Sequence, residues 1–158
     1  MTTCYTKSMK TTKNTYILPI ESEYNPVMTY DRSPAHVGPL INSVDFIVPE
    51  NTPIKAAADG IVIEVKIDSN RGGTDKSFEE YGNYIEIKHE HDEYSEYEHL
   101  RHNGSLVKIG DTVTQGQVIG YSGNTGWMAD LGPHLHFMVG VYGESVDDYQ
   151  TLKITWQR

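Results

Sequence analysis

Cysteine is nearly missing from this chain. Cys4 is the only one among 158 residues, so no disulfide can form within the chain and a cysteine-based zinc cluster is excluded. Long apolar runs are missing too, and none approaches the ~20 residues of a membrane-spanning helix. The first twenty residues, MTTCYTKSMKTTKNTYILPI, contain no uninterrupted apolar core, so no secretory leader is read there. Positive charge is scarce, with 13 Lys and Arg against 22 Asp and Glu and a net charge of −9. That balance argues against a nucleic-acid backbone as partner and against an anionic membrane surface. Finally, no segment shows an apolar repeat of helical period over a useful length.

What is present is β character and histidine. From VDFIV (44–48) onward, short apolar runs are separated by Gly, Pro, Asn and Asp. Strands are expected at 44–48, 53–58, 60–67, 83–89, 94–100, 105–109, 117–122 and 133–142, with a last one at 151–156 closing the sheet. GIVIEVKI and NYIEIKH alternate apolar and polar residues, as a half-buried antiparallel sheet requires. Residues 1–15 read as a flexible lead-in, and residues 16–158 as a single all-β domain. The segment DSNRGGTDKSFEEYG (68–82) is long, polar and glycine-bearing, and two readings stay open for it: a loose hairpin extension or one wall of a cleft. KIGDTVTQGQVIG (108–120) carries Gly-Asp and Gln-Gly turns like those of biotinyl and lipoyl carrier domains, but no lysine sits where a carrier lysine would.

The seven histidines carry most of the functional information. In GPHLHFMVG (132–140) His134 and His136 are two apart in an apolar run. On a strand their rings share one face, about 7 Å apart along the chain, while Leu135 and Phe137 point to the core. Such a pair suits a metal. Catalytic zinc takes three protein ligands and keeps one position for water, and without cysteine those ligands must be His, Asp or Glu. Three sources could complete the set. His36 pairs with Asp45, a carboxylate that opens an apolar strand and needs a partner if buried. His99 ends the strand EYEHL, in the same alternation as Tyr97 and therefore on the Tyr97 face. His89 and His91 precede Asp92-Glu93 at a hairpin tip.

VDFIVPENTPIKAAADGIV (44–62), YGNYIEIKH (81–89), YEHL (97–100), VKIGDTVTQGQVIGYSGNTG (107–126) and GPHLHF (132–137) occur in this order. In content and spacing they resemble the LytM/lysostaphin-type zinc metallopeptidases, over roughly residues 34–141. The resemblance implies an antiparallel β-sandwich of the barrel-sandwich, duplicated-hybrid-motif type. It implies Zn²⁺ held by His36, Asp45 and His136, and His99 and His134 acting in catalysis without being core ligands. His36 lies nine positions before Asp45, where the best-known members have four, and position 41 is Ile; His36 is the only histidine upstream of Asp45. The implied activity is hydrolysis of cell-wall peptidoglycan peptides by a metal-activated water, outside the cell or in its envelope, by a monomer. The rival is a degenerate module of the same fold that binds and regulates another wall hydrolase, which zinc content would separate from the enzyme. His89 is expected to be structural, and His91 and His102 to be exposed loop residues. Tyr81, Tyr94 and Tyr97 are expected to pack rather than react, and GYSGNTG (120–126) to form a tight loop beside the cleft.

Overall fold

The computed structural model describes residues 10–128 and 131–158, so Cys4 lies outside the described residues. Fifteen strands follow in chain order: β1 (Thr11–Tyr16), β2 (Val27–Thr29), β3 (Val44–Ile47), β4 (Pro53–Lys55), β5 (Gly60–Lys66), β6 (Gly72–Gly73), β7 (Tyr84–Lys88), β8 (Tyr94–Glu98), β9 (Leu100–Ser105), β10 (Thr112–Val113), β11 (Val118–Ser122), β12 (Gly126–Trp127), β13 (His134–Tyr142), β14 (Tyr149–Thr151) and β15 (Lys153–Trp156). The helices among the described residues are short 3-10 turns, and no helix there is long and apolar enough to cross a membrane.

The main sheet runs in the order β10-β5-β7-β8-β13-β3-β2, with β14 also paired to β13, and all its pairs are antiparallel. A second sheet, β4-β11-β9, contributes Ile54, Leu100 and Ile119 to the same buried cluster. The register explains how one sheet carries both a core and a site. One transverse row joins Val44, Phe137, Tyr97, Ile85 and Val65 across β3, β13, β8, β7 and β5. All but the partly buried Val65 are completely buried. The next row joins Asp45, His136, Glu98, Tyr84 and Lys66 on the same strands, and strand pleating sends it to the opposite face. Burying a large side chain such as Phe137 contributes about 1.5–3 kcal/mol, which fixes the register, because a one-residue slip would exchange the two rows.

Some expectations need correction. The lead-in is not free up to residue 15, since Thr11–Tyr16 pairs in parallel with β15 and Tyr16 is fully buried. The side chain of Glu93 fixes it, taking hydrogen bonds from the amides of Lys13 and Asn14, from Asn14 Nδ2 and from Tyr16 Oη. The run at 151–156 does not close the main sheet. It splits between β14, on β13, and β15, on β1, with Leu152 turned inward between them. The strand expected at 105–109 ends at Ser105, and β9 begins at Leu100 instead. The short partners β2, β6, β10 and β12 carry too few residues for an alternation to register.

Segment 68–82 is a wall, not a loose extension. Its β6 pairs in parallel with β12, and Asp75 caps a 3-10 turn, Lys76–Tyr81, by accepting from the Ser77 amide. A Cβ on Gly72 would stand 1.9 Å from the Asn124 carbonyl oxygen, so this wall meets the 120–128 loop only because residue 72 has no side chain.

Candidate active site

β3 and β13 place Asp45 directly opposite His136, so their side chains rise from neighbouring backbones on the same face. His36 comes from the segment between β2 and β3. Its Nδ1 lies 2.5 Å from the Tyr30 carbonyl, which can only accept, so the proton sits on Nδ1 and Nε2 presents a lone pair. That Nε2 lies 3.2 Å from Asp45 Oδ2 and 3.2 Å from His136 Nδ1, which in turn lies 3.0 Å from Asp45 Oδ1. All three residues are buried, and Asp45 is wholly inaccessible.

This triangle is electron-rich. Asp45 Oδ2 is buried without a hydrogen-bond partner, and His36 Nε2 has no proton to give it. An orphaned buried carboxylate oxygen costs on the order of 1–3 kcal/mol or more, so the arrangement calls for a cation. Its edges of 3.0–3.2 Å are close to the ~3.3 Å edge of a tetrahedron with zinc-length bonds. Two nitrogens and one oxygen also match the donors zinc prefers. Among the described residues, His36, Asp45 and His136 are the group of metal-ligating side chains that converges this closely. Burial alone would raise the Asp45 carboxyl, but its hydrogen bond with His136 and the imidazole charge beside it hold it well below the usual carboxylate range. Burial pushes the His136 imidazole down, yet Glu98 and Asp45 outweigh it and the net direction is up.

Two more imidazoles border the triangle. His134 Nδ1 lies 2.8 Å from the Gly132 carbonyl, and its Nε2 is 3.7 Å from Asp45 Oδ1. His99 Nδ1 lies 2.7 Å from the Thr125 carbonyl, and its ring centroid is 4.6 Å from that of His134 and 5.9 Å from that of His136. Both are therefore Nδ1-H tautomers with Nε2 free. Burial depresses both, with His134 adding to the effect on His99, which falls to about 4.

His99 corrects the alternation argument. Tyr97 is in the core, donating nothing to the site and accepting from the Ala57 amide, so a regular strand would bury His99 beside it. Instead residue 99 has φ +66° and breaks the strand between β8 and β9. This left-handed backbone, costly for a non-glycine residue, swings the ring onto the cleft face. The other histidines fall away from the site. His89 bridges the Asp59 carbonyl and Ser95 Oγ, and His91 and His102 are exposed. Tyr81 lies under Arg71, and Tyr94 packs edge-on to Tyr142.

A cleft runs from His136 and His99 between the two walls. It is lined by Lys66, Glu79 and Glu80, by Tyr84, Glu96 and Glu98, and by Trp127. Sequence reading missed Glu98 and Tyr84. The signal was there, since any residue opposite His136 in the register must share its face, but register is invisible until the strands are paired.

A model of Peptidase family M23 matches residues 40–148. The chain belongs to this family. It is 34% identical over 134 residues to the Peptidoglycan DD-endopeptidase ShyA of Vibrio cholerae, covering 82% of this chain and 28% of that one. It is 36% identical over 132 residues to an uncharacterized metalloprotease of Buchnera aphidicola, covering 81% of this chain and 30% of that protein. The chain thus spans under a third of these relatives. Among solved structures, the catalytic domain of lysostaphin from Staphylococcus simulans superposes with a TM-score of 0.59 at 32% identity, covering 84% of this chain and 94% of that domain. A zinc-containing peptidase from Vibrio cholerae gives a TM-score of 0.57 at 30% identity, covering 80% of this chain and 36% of that one. His36 lies four residues before the M23 match begins, so the family model does not reach it.

Proposed function

We propose that this chain is a zinc-dependent endopeptidase that hydrolyses peptide bonds of bacterial peptidoglycan, working outside the cell or in its envelope. The observation that carries the reading is the triangle of His36, Asp45 and His136, electron-rich, buried and of tetrahedral edge length. A bound zinc ion would supply a Lewis acid for the scissile carbonyl and lower the pKa of a bound water from 15.7 to about 7.

The residues of the chain do the rest. His36, Asp45 and His136 would hold the ion, with the Tyr30 carbonyl fixing the His36 ring so that Nε2 faces inward. The Thr125 and Gly132 carbonyls hold His99 and His134 in the tautomer that leaves Nε2 basic. One of these nitrogens accepts the proton of the attacking water and returns it to the leaving amine. The other would take a proton from solvent only as negative charge develops on the carbonyl oxygen, and would then donate that proton to it as a hydrogen bond. Their depressed basicity keeps both rings neutral and ready at pH 7.

Metal analysis and hydrolysis test the reading together. Stoichiometric zinc should accompany cleavage of purified peptidoglycan, and a chelator should abolish both until zinc is restored. Cleavage that survives complete metal removal would overturn it. A folded, zinc-free protein that does not cleave would instead favour a regulatory module.

A further inference from the structure

Residue 99 holds a costly backbone conformation, φ +66° at a non-glycine position, and its ring lines the cleft because of it. Such strain persists only where the surroundings over-determine it. Here the next residue is fixed at both its amide and its carbonyl. The Leu100 amide, part of the peptide plane that residue 99 turns, donates to the Asn83 carbonyl at 3.1 Å. The Leu100 carbonyl accepts from Thr125 Oγ1 at 2.6 Å and from Asn83 Nδ2 at 3.2 Å, so both of its lone pairs are used.

Thr125 grips two successive residues. Its carbonyl takes the His99 Nδ1 proton at 2.7 Å, while its hydroxyl donates to Leu100 and accepts from the Asn83 amide at 3.0 Å. Asn83 is completely buried and commits its whole side chain. One Nδ2 proton goes to Leu100 and the other to the Ser69 carbonyl at 2.8 Å, and Oδ1 takes the Ser69 amide at 3.1 Å. The Ser69 pair ties this clamp to the 68–82 wall. Thr125 is buried as well, so neither residue can turn to water when a bond is lost. A carboxylate in place of the amide, or a methyl in place of the hydroxyl, could not supply these protons. The bonds of the clamp end on Ser69, Leu100 and His99, away from His36, Asp45 and His136.

We infer that Thr125 and Asn83 are positioning residues: by locking the left-handed turn at residue 99, they set where His99 Nε2 points in the cleft. The inference rests on reading His99 as a proton carrier of a peptidase. It gives a catalytic consequence to two neutral side chains that hold the ring's backbone and not the ligand triangle. A network that only supported the core would change stability when cut, yet leave the ring of the folded protein in place.

Three variants test it. Thr125→Val removes the hydroxyl at nearly constant volume, Thr125→Ser keeps it, and Asn83→Ala cuts the side-chain bonds to Leu100 and Ser69 while sparing the backbone ones. Nitrogen-15 NMR of the imidazoles reads the ring directly in the full chain, with zinc and without. The wild type should show a single His99 tautomer, protonated on Nδ1, and Thr125→Val and Asn83→Ala should each show a mixture of both. Zinc stoichiometry should not change. Hydrolysis of peptidoglycan by either variant should lose about 10–100-fold in kcat with KM within about twofold, as a misplacement of about 1 Å would bring. Thr125→Ser should keep the single tautomer and a kcat within about threefold of the wild type. A mixed tautomer in the wild type, an unaltered ring signal and kcat in Thr125→Val and Asn83→Ala, or a Thr125→Ser variant as impaired as Thr125→Val overturns the inference. Loss of the fold in both Thr125→Val and Asn83→Ala overturns it too, because the network would then belong to the core. A wild type that binds no zinc and cleaves nothing counts against the peptidase reading alone, since the ring signal is read without either.

Discussion

At the scale of single residues, the four histidines of the site are sorted by what their Nδ1 touches. His36, His99 and His134 each give a proton to a backbone carbonyl, whereas His136 faces Asp45 through Nδ1. Removal of a ligand and removal of a proton carrier should therefore separate cleanly. His136→Ala should lose zinc by more than the roughly 100-fold that loss of an outer-shell partner can cost, and lose cleavage with it. His99→Asn and His134→Asn should keep stoichiometric zinc while kcat falls about 10²–10⁴-fold. Zinc loss in either of the latter variants would make that residue a ligand. Acid sensitivity follows from the same rings. His99 has a folded pKa of about 4 against 6.5 ordinarily, so between those values the unfolded chain takes a proton that the folded chain refuses. Stability of the metal-free protein should thus fall with pH in that window, by about 2 kcal/mol from His99 between pH 7 and pH 5. His134 shifts in the same direction and adds to the loss, while His136, raised, opposes it. Denaturant midpoints at the two pH values measure this, and His99→Gln should flatten the difference. An identical slope in wild type and variant would show that His99 is not the titrating group. Sequence alone placed these residues by type and spacing, but it put His99 on the wrong face. A positive φ at one non-glycine residue leaves no mark in an alternation pattern.

At the scale of elements, legibility depended on length. β5 and β7 were readable because their apolar–polar alternation repeats, and β13, nine residues long and buried from His134 to Gly140, was readable as an apolar run. β6, β12, β10 and β2, two or three residues long, exist through their partners. β1 was unreadable for a different reason: TTKNTY is polar, and Glu93, 77 residues away from Tyr16, holds it down. Glu93→Gln should therefore destabilise the protein by about 2–4 kcal/mol, since charge-assisted bonds from two amides, an amide side chain and a phenol weaken together. Zinc affinity should be untouched, because none of these groups meets the triangle. Equilibrium unfolding with a parallel zinc titration checks both halves. The 68–82 wall makes the opposite claim, function without much stability. Gly72→Ala would drive a Cβ into the Asn124 carbonyl and unpair β6 from β12. KM should rise several-fold with zinc content and unfolding midpoint little changed, whereas a large drop in midpoint would make the wall part of the core.

At the scale of the whole molecule, the triangle proposed to hold the metal joins an irregular segment to the centre of the main sheet, alongside the bonds of Asn42 and Pro39 to Thr151. His36 arrives on the irregular segment between β2 and β3, while Asp45 and His136 belong to the centre of the main sheet. Without a cation, residue 36 is held by the bond of its ring to the Tyr30 carbonyl and of its amide to the Ser33 carbonyl. A ligand that binds only the folded chain adds RT ln(1 + [L]/Kd), about 4 kcal/mol when free zinc is a thousandfold above its dissociation constant. For a domain of 150–250 residues each kcal/mol moves the melting temperature by about 2–4 °C, so saturating zinc should raise it by roughly 8–16 °C. His36→Ala should abolish most of that rise yet melt close to the metal-free wild type, because it removes one imidazole from an irregular segment and no core residue. The nine-residue gap between His36 and Asp45, the chain's one departure from the spacing of better-known relatives, is thereby put to a thermal test. A His36→Ala variant that gains as much from zinc as the wild type would show that another side chain completes the site.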